Sequence, residues 1–302
     1  MLVKKLLNNP WLFIIIIVKK INRIIPDKLY LSILYRAYIG RWMNWNKPEG
    51  INEKIQWLKI YDRNPRYTDW VDKYEAKKLA SDLIGEEYVI PTIGIYNRFD
   101  EINFDSLPNQ FVIKCTHDSG GLVVCKNKLK LDLAYVRKKI EKSLNSNYYY
   151  SSREWPYKNV KPRIIIEKFM ENNDQGELKD YKFFCYDGVP KVLFICTERD
   201  VPGEEMKLNF FDMDFKPLPI TNVNPMSNKV IEKPKGFEIM KTIAARLSKG
   251  IPHVRVDLYE INGKVYFGEM TFHSAGGFDI FKPDEWDLKL GSWIDLNKAY
   301  GK

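Results

Sequence analysis

The sequence predicts an α+β chain with a helical front and a strand-rich body, and three observations predict it. Apolar residues recur at helical spacing through residues 19 to 61 and again from 72 to 84. From residue 111 the apolar runs shorten and read as strands. Two pairs of these runs are joined by Asp187-Gly188 and Asn262-Gly263, dipeptides suited to tight hairpin turns. A chain of 302 residues has room for two lobes, and 45% apolar with 29% charged residues excludes wholesale disorder.

Each element follows from local chemistry. Tyr30, Ile33, Leu34 and Tyr38 form a helical stripe that breaks at Gly40. Residues Glu53 to Leu58 follow a turn-rich stretch and bury Ile55, Trp57 and Leu58. The segment DKYEAKKLASDLI, 72 to 84, is a helix capped by Asp72 and stopped by Gly85. A strand over 88 to 96 is interrupted by Pro91. Strands Phe111 to Lys114 and Leu122 to Lys126 flank a glycine-bearing loop, and a helix runs from Leu133 to Leu144. RIIIEKF (163 to 169), DYKFFCY, VPKVLFICTER and LNFFDMDF (208 to 215) are further strands. A helix over 237 to 249 leads to the hairpin VRVDLYEINGKVYFGEMTF.

The net charge of +9 is concentrated at the front: residues 1 to 41 hold eight Lys or Arg and one acid, Asp27. Within them lies PWLFIIIIV (10 to 18), bracketed by lysine pairs. Its eight apolar residues span about 12 Å as a helix, far short of the ~30 Å hydrocarbon core. Two readings stand: a segment lying on an anionic inner leaflet, or a core helix with basic flanks. Nucleic acid is not an expected partner, because the charge beyond residue 41 is nearly balanced. Cys115, Cys125, Cys185 and Cys196 sit in or beside apolar runs without a C-x-x-C pair, and there are three histidines. These are expected to be buried free thiols of a cytoplasmic protein rather than a zinc site or disulfide framework.

Several residues point to chemistry. In FVIKCTHDSGG (111 to 121), a strand ends in Lys114 and enters His117, Ser119, Gly120 and Gly121. Small residues let backbone N–H groups approach an anion while the lysine supplies positive charge, an arrangement that grips phosphate. It is not a Walker loop, which needs a different spacing. Asp257 and Glu269 lie on the two arms of one hairpin, where they would repel each other unless a cation sat between them; Mg²⁺ suits such a pair. Alternation is expected to make Arg255 and Asp257 share a face of their strand, and Phe267 and Glu269 share a face of theirs. In RIIIEKFM, Glu167 could accept from a ribose or an adenine amine while main-chain groups near Lys168 and Met170 read a base edge. Lys182 of DYKFF could reach phosphate. FFDMDF offers a competing acid pair, Asp212 and Asp214, as in metal-dependent glycosyltransferases; a non-catalytic membrane-associated scaffold is a third reading.

Taken in this order, NEKIQWLKIYDRNPRYTDWVDKY, FDSLPNQFVIKCTHDSGG, RIIIEKFM, LKDYKFFCYDGVPK and VRVDLYEINGKVYFGEMTF resemble the ATP-grasp superfamily. More closely, they resemble its TupA-like members, linked to teichuronopeptide and surface-polysaccharide synthesis. The resemblance covers roughly residues 50 to 275. It implies two α+β lobes clamping ATP over residues 71–302, with a nucleotide lobe near 105–170, a metal and catalytic lobe near 171–290, and a helical front over 1–70. It also implies ATP and Mg²⁺ as cofactors. Lys114, His117 to Gly121, Glu167, Lys168, Met170 and Lys182 would hold nucleotide, and Asp257 and Glu269 the metal. Arg255, Lys182 and His273 are the catalytic candidates, with Arg153 another acceptor contact. The reaction implied is carboxylate–amine ligation through an acylphosphate. Its expected partners are an amino acid and a uronic-acid glycan or lipid-linked saccharide precursor. A lipid-linked precursor would explain the basic, apolar residues 1–41, on the reading in which they make peripheral contact with the inner membrane face. The pattern departs at Thr271, where many members carry an asparagine, and in the short helical front that replaces the usual α/β domain.

Overall fold

A computed structural model describes residues 10–118, 120–171, 178–198, 203 and 205–301. Helices α1 (Pro10–Lys20) and α2 (Asp27–Ile39) form the front, followed by α3 (Ile51–Tyr61), α4 (Arg66–Val71) and α5 (Glu75–Ile84). Strands β1 (Thr92–Tyr96), β2 (Phe111–Cys115) and β3 (Leu122–Cys125) precede α6 (Leu133–Leu144), the short α7 (Tyr149–Ser152) and β4 (Ile164–Lys168). Then come β5 (Asp180–Tyr186), β6 (Val189–Thr197), β7 (Lys207–Phe211), α8 (Phe237–Ser248), β8 (Val254–Ile261), β9 (Lys264–Thr271) and α9 (Glu285–Ser292).

The strands form two sheets, ordered β1-β4-β2-β3 and β7-β6-β5-β8-β9, with every neighbouring pair antiparallel. The smaller sheet turns Phe111, Ile113, Cys115, Ile164 and Ile166 onto Val136 and Ile140 of α6. Alternation then sends Val112, Lys114, Ile165 and Glu167 to its other face. The larger sheet packs Tyr181, Phe183, Leu193, Val254, Val256 and Leu258 against α8 and α5. Burying one such large side chain stabilises the fold by about 1.5–3 kcal/mol. The opposite face has two ends. Phe184, Tyr186, Val192 and Phe194 join Ile51, Ile55 and Leu58 of α3 and Trp286 and Leu290 of α9 in a second core. The other end carries Asp180, Lys182, Arg255, Asp257 and Glu269.

Local chemistry sets the element ends. Asp187 and Gly188 have φ of 46° and 82°, and Asn262 and Gly263 52° and 76°, so both expected hairpin turns are present. Helix α2 ends at Gly40, whose φ of 87° lets its N–H reach Arg36 O at 3.1 Å. Helix α5 starts at Glu75 rather than 72, because Asp72 stands outside it: its Oδ1 accepts from the Tyr74 and Glu75 amides at 2.9 and 3.3 Å. Strand β1 starts after Pro91, which cannot donate to a ladder. The four cysteines are free and buried. Among the described residues no helix is long and apolar enough to cross a membrane.

Candidate functional site

The smaller sheet contributes a carboxylate held between lysines. Lys114 leaves β2 with its Nζ 2.6 Å from Glu167 Oε2, and Lys77 of α5 brings its Nζ to 2.6 Å from Glu167 Oε1. Lys77 also donates to Ile90 O at 2.6 Å. Burial pushes the Glu167 pKa up, but Lys114 and Lys77 outweigh it and bring it down to about 2. Both oxygens of Glu167 are thus engaged, so in this state it seats the two lysines instead of presenting itself to a ribose. Lys168 is exposed and its amide donates to Pro91 O at 3.0 Å; Met170 is half-buried.

The loop after β2 is tied down at several points. The Asp118 carboxylate accepts from the Gly121 amide at 3.0 Å and from the Ser143 hydroxyl, and Lys73 donates to Asp118 O. Gly121 is required for packing: a Cβ there would lie 2.3 Å from Ser143 Oγ. Gly120 is exposed, with open space where a Cβ would be. His117 is buried, its Nε2 3.1 Å from Ser143 O on α6, so it anchors the loop to that helix. Ser119 lies outside the described residues.

The larger sheet builds a second cluster around Asp257. The register opposes Asp257 to Lys182 on β5 and to Glu269 on β9. Arg255 grips Asp257 through Nε at 2.6 Å and Nη2 at 2.7 Å, and Lys182 Nζ bonds Asp257 Oδ2. Burial raises the Asp257 pKa, and the two cations lower it further than that, to about 2. Arg255 Nη2 also lies 3.4 Å from Glu269 Oε1 and 3.0 Å from Thr271 Oγ1, so the threonine stands inside this network. Lys182 is buried between Asp257 and Asp180, and Asp180 bonds the Tyr259 side chain. The two facing carboxylates therefore do not require a metal to relieve their repulsion, as the spacing suggested. Arg255 already lies between them, paired with both.

The expected pairing of Phe267 with Glu269 on one face is also corrected. Phe267 points into the core while Glu269 meets Arg255 on the opposite face. The register shifts between Asp257 and Leu258, and Gly268 is the extra residue on β9. A Cβ at Gly268 would lie 2.9 Å from Asp257 O, so glycine lets the bulge close and aims Glu269 at Asp257.

The two clusters act on a common group. Lys73, just ahead of α5, donates to Asp118 O, and its ammonium feels Glu269 from the larger sheet and Asp118, Lys114 and Glu167 from the smaller one; burial lowers its pKa. The Tyr157 hydroxyl feels Glu154, Glu269 and Arg255. Glu269 keeps 46% of its side chain exposed, while Asp257 is enclosed. Among the described residues no group of three or more metal-ligating side chains gathers; both oxygens of Asp257 are taken by Arg255 and Lys182, and the half-exposed Glu269 is the hard oxygen donor left open to a divalent cation.

Other candidates have their own partners. His273 is buried with Nδ1 3.6 Å from Glu154, burial lowering its pKa against the pull of that carboxylate. Beneath it Lys59 is fully buried, donating to Gln56 Oε1, Ser152 O and Gly276 O, and burial pushes its pKa down to about 7. Arg153 is a structural anchor and not an open acceptor contact: it is buried, bonds Asn22 O and Ile25 O, and pairs with Asp27 at 2.8 Å. Asp212 caps a turn, its Oδ1 accepting the amides of Asp214 and Lys216 at 2.9 and 2.8 Å. A cavity of about 220 Å³ lined by Tyr186, Asp187, Lys191, Trp293 and Lys298 lies at the far end of β5, with its Asp187 and Lys298 paired to each other.

Sequence reasoning missed Lys77, Asp180 and Tyr259. For Lys77 a signal was present: it shares a helical face with Ala80 and Ile84, both buried, and a buried lysine needs a partner.

The sequence matches the family model described as TupA-like ATPgrasp over residues 53–295. Among curated proteins none matches. Solved structures similar to this chain include D-alanine–D-alanine ligase from Helicobacter pylori, at 15% identity over 82% of this chain and 70% of that one, with a TM-score of 0.45. The Bacillus anthracis D-alanine–D-alanine ligase is 16% identical over 82% and 69%, with a TM-score of 0.40. D-alanyl-alanine synthetase A from Vibrio cholerae is 11% identical over 87% and 71%, with a TM-score of 0.41. The assignment rests on the family match, not on these distant likenesses: the chain belongs to the TupA-like ATP-grasp family and is an ATP-dependent carboxylate–amine ligase.

Proposed function

We propose that this ligase joins the carboxylate of a uronic-acid unit on a surface-glycan precursor to the amine of an amino acid, with ATP supplying the driving force through an acylphosphate. What supports this assignment of the site is the pair of ion clusters, Lys77 and Lys114 on Glu167 and Lys182 and Arg255 on Asp257, with Lys73, bonded to Asp118 O, in the field of both Glu167 and Glu269. Lys73, Lys77 and Lys114 against Glu167 leave net positive charge, which favours a polyphosphate. Asp180, Asp257 and Glu269 against Lys182 and Arg255 leave net negative charge, which favours a divalent cation. Magnesium, when bound, supplies charge neutralisation for phosphate oxygens. In this reading Lys114 and Lys73 orient the phosphate tail, and the exposed Gly120 lets the loop approach it. Arg255 is already aligned by Asp257, so it would meet, without reorganising, the negative charge that develops on the acyl oxygen when the amine adds to the acylphosphate and phosphate is then expelled. His273 and Lys59, packed under residues 273–277, position the backbone that lines the acceptor side.

Incubating the protein with ATP, Mg²⁺, a panel of amino acids and a uronic-acid glycan is expected to yield ADP, phosphate and a glycan heavier by one amino acid less water. Selective stabilisation by UDP-sugars with no response to ATP–Mg²⁺ would overturn the reading in favour of glycosyl transfer.

A further inference from the structure

Helix α1, PWLFIIIIVKK, is apolar around its circumference apart from the terminal lysines, yet only part of it is covered. Ile15 and Val18 are buried against Tyr30, Leu31, Leu34 and Ala37 of α2. Ile16 and Ile17 face outward at 45% and 49% exposure, and the apolar strip continues through Ile21 and Ile24, the latter 80% exposed. Exposed Lys19, Lys20 and Arg23 are interleaved with that strip. Asp27, the one acid between residues 10 and 41, does not offset them. Its carboxylate is held by Arg63 at 3.2 Å, Arg153 at 2.8 Å and the Tyr149 hydroxyl at 2.6 Å.

An apolar strip bordered by unneutralised cations matches an anionic bilayer surface, where side chains enter the acyl boundary and lysines meet headgroups. A second copy of this chain would present the same positive rim, so like charges oppose self-association there. Eleven helical residues extend about 16 Å, enough to lie in the interface and not to cross it. We infer that α1 and the turn after it dock this protein on anionic lipid, with Ile16, Ile17, Ile21 and Ile24 inserted and Lys19, Lys20 and Arg23 on the headgroups. On this inference the two readings of the segment apply to opposite faces of one helix, Ile15 and Val18 facing the core and Ile16 and Ile17 the lipid. The docked element is also joined to the catalytic side. Asn22 donates to Tyr150 O at 2.9 Å and Arg153 to Ile25 O at 3.2 Å, and Glu154, next along this segment, lies 3.6 Å from His273 Nδ1. The inference does not depend on the acceptor's identity, and its failure would leave the ligase reading intact.

The test is co-sedimentation of the full chain with vesicles of phosphatidylcholine alone or mixed with phosphatidylglycerol, at low and high salt. Binding is expected to the anionic vesicles only and to weaken as salt rises. An Ile17→Ser, Ile24→Ser variant and a Lys19→Glu, Lys20→Glu, Arg23→Glu variant should each lose about tenfold or more in partitioning. Both should keep their melting temperature and ATP-induced stabilisation, because these side chains are exposed. The inference is overturned by equal binding to neutral vesicles, by no binding, or by variants that bind as the wild type does. It is equally overturned if the wild type forms an oligomer that the serine variant dissolves while neither sediments with lipid.

Discussion

Glu167 in the smaller sheet and Asp257 in the larger one are the same device placed twice. Each is a buried carboxylate with a cation on either side, Lys77 and Lys114 for one, Lys182 and Arg255 for the other, and each is held near a pKa of 2. They differ in what is left over. Beside Glu167 stands a further cation, Lys73; beside Asp257 stands a further acid, the half-exposed Glu269. A buried ion pair contributes little net stability, because desolvation offsets the attraction. What it does is hold neighbouring groups in place, and here the two leftover charges lie within electrostatic reach of each other. Opposite leftovers suit the two ends of one ligand, a polyphosphate and its metal ion.

The largest test of that difference is to remove the acids separately. Glu269→Gln is expected to cut ATP turnover about a thousandfold or more while leaving the thermal melt near the wild type, because Glu269 is half-exposed. Asp257→Asn should lose both activity and stability, since it strands two buried cations. Equal melts for the two variants would break the distinction between a leftover acid and a seated one.

Next in size is Glu167→Gln, which leaves Lys77 buried without its carboxylate and should destabilise by about 3 kcal/mol, read from denaturant melts. The pH dependence follows from its depressed pKa. The ordinary value is 4.5 and the folded value about 2, so the wild type has this contribution in full above pH about 4.5 and loses it as pH falls toward 2. The variant should show a shallower decline of melting temperature in that window, the remaining slope coming from Asp257 and other carboxylates held below their ordinary range, Glu154 and Glu75 among them.

Lys114→Met should weaken ATP binding about 10- to 100-fold by calorimetry, the worth of one charged hydrogen bond, with a smaller loss of stability than Glu167→Gln. A stability loss without any change in affinity would make Lys114 a purely structural partner of Glu167. The smallest change is Gly268→Ala. Its Cβ meets Asp257 O at 2.9 Å, so the bulge must open, at about 1–2 kcal/mol, and Glu269 swings away from Asp257. Turnover should fall more than the melt does.

What was legible in the sequence was local or came from order along the chain. Asn262-Gly263 and Asp187-Gly188 announce their turns because few residues adopt two successive positive φ values. Lys114 was visible as a cation at a strand end before small residues. What stayed hidden depended on pairing between distant segments. Lys182 meets Asp257 only through the β5–β8 register, across 75 residues of chain. The faces of Phe267 and Glu269 were misjudged because a single bulged glycine reverses the alternation on which the reading relied. Arg153 looked available because nothing in its neighbourhood reveals that Asn22, Ile25 and Asp27 fold back onto it.

The most direct measurement is a crystal structure grown with ADP and Mn²⁺, using anomalous scattering to locate the ion. The expected result is a peak bound by Glu269 on the Asp257 side of the larger sheet, with the diphosphate reaching toward Lys114 and Lys73. An ion and nucleotide ordered elsewhere, for instance beside Trp293 at the far end of β5, would contradict the account.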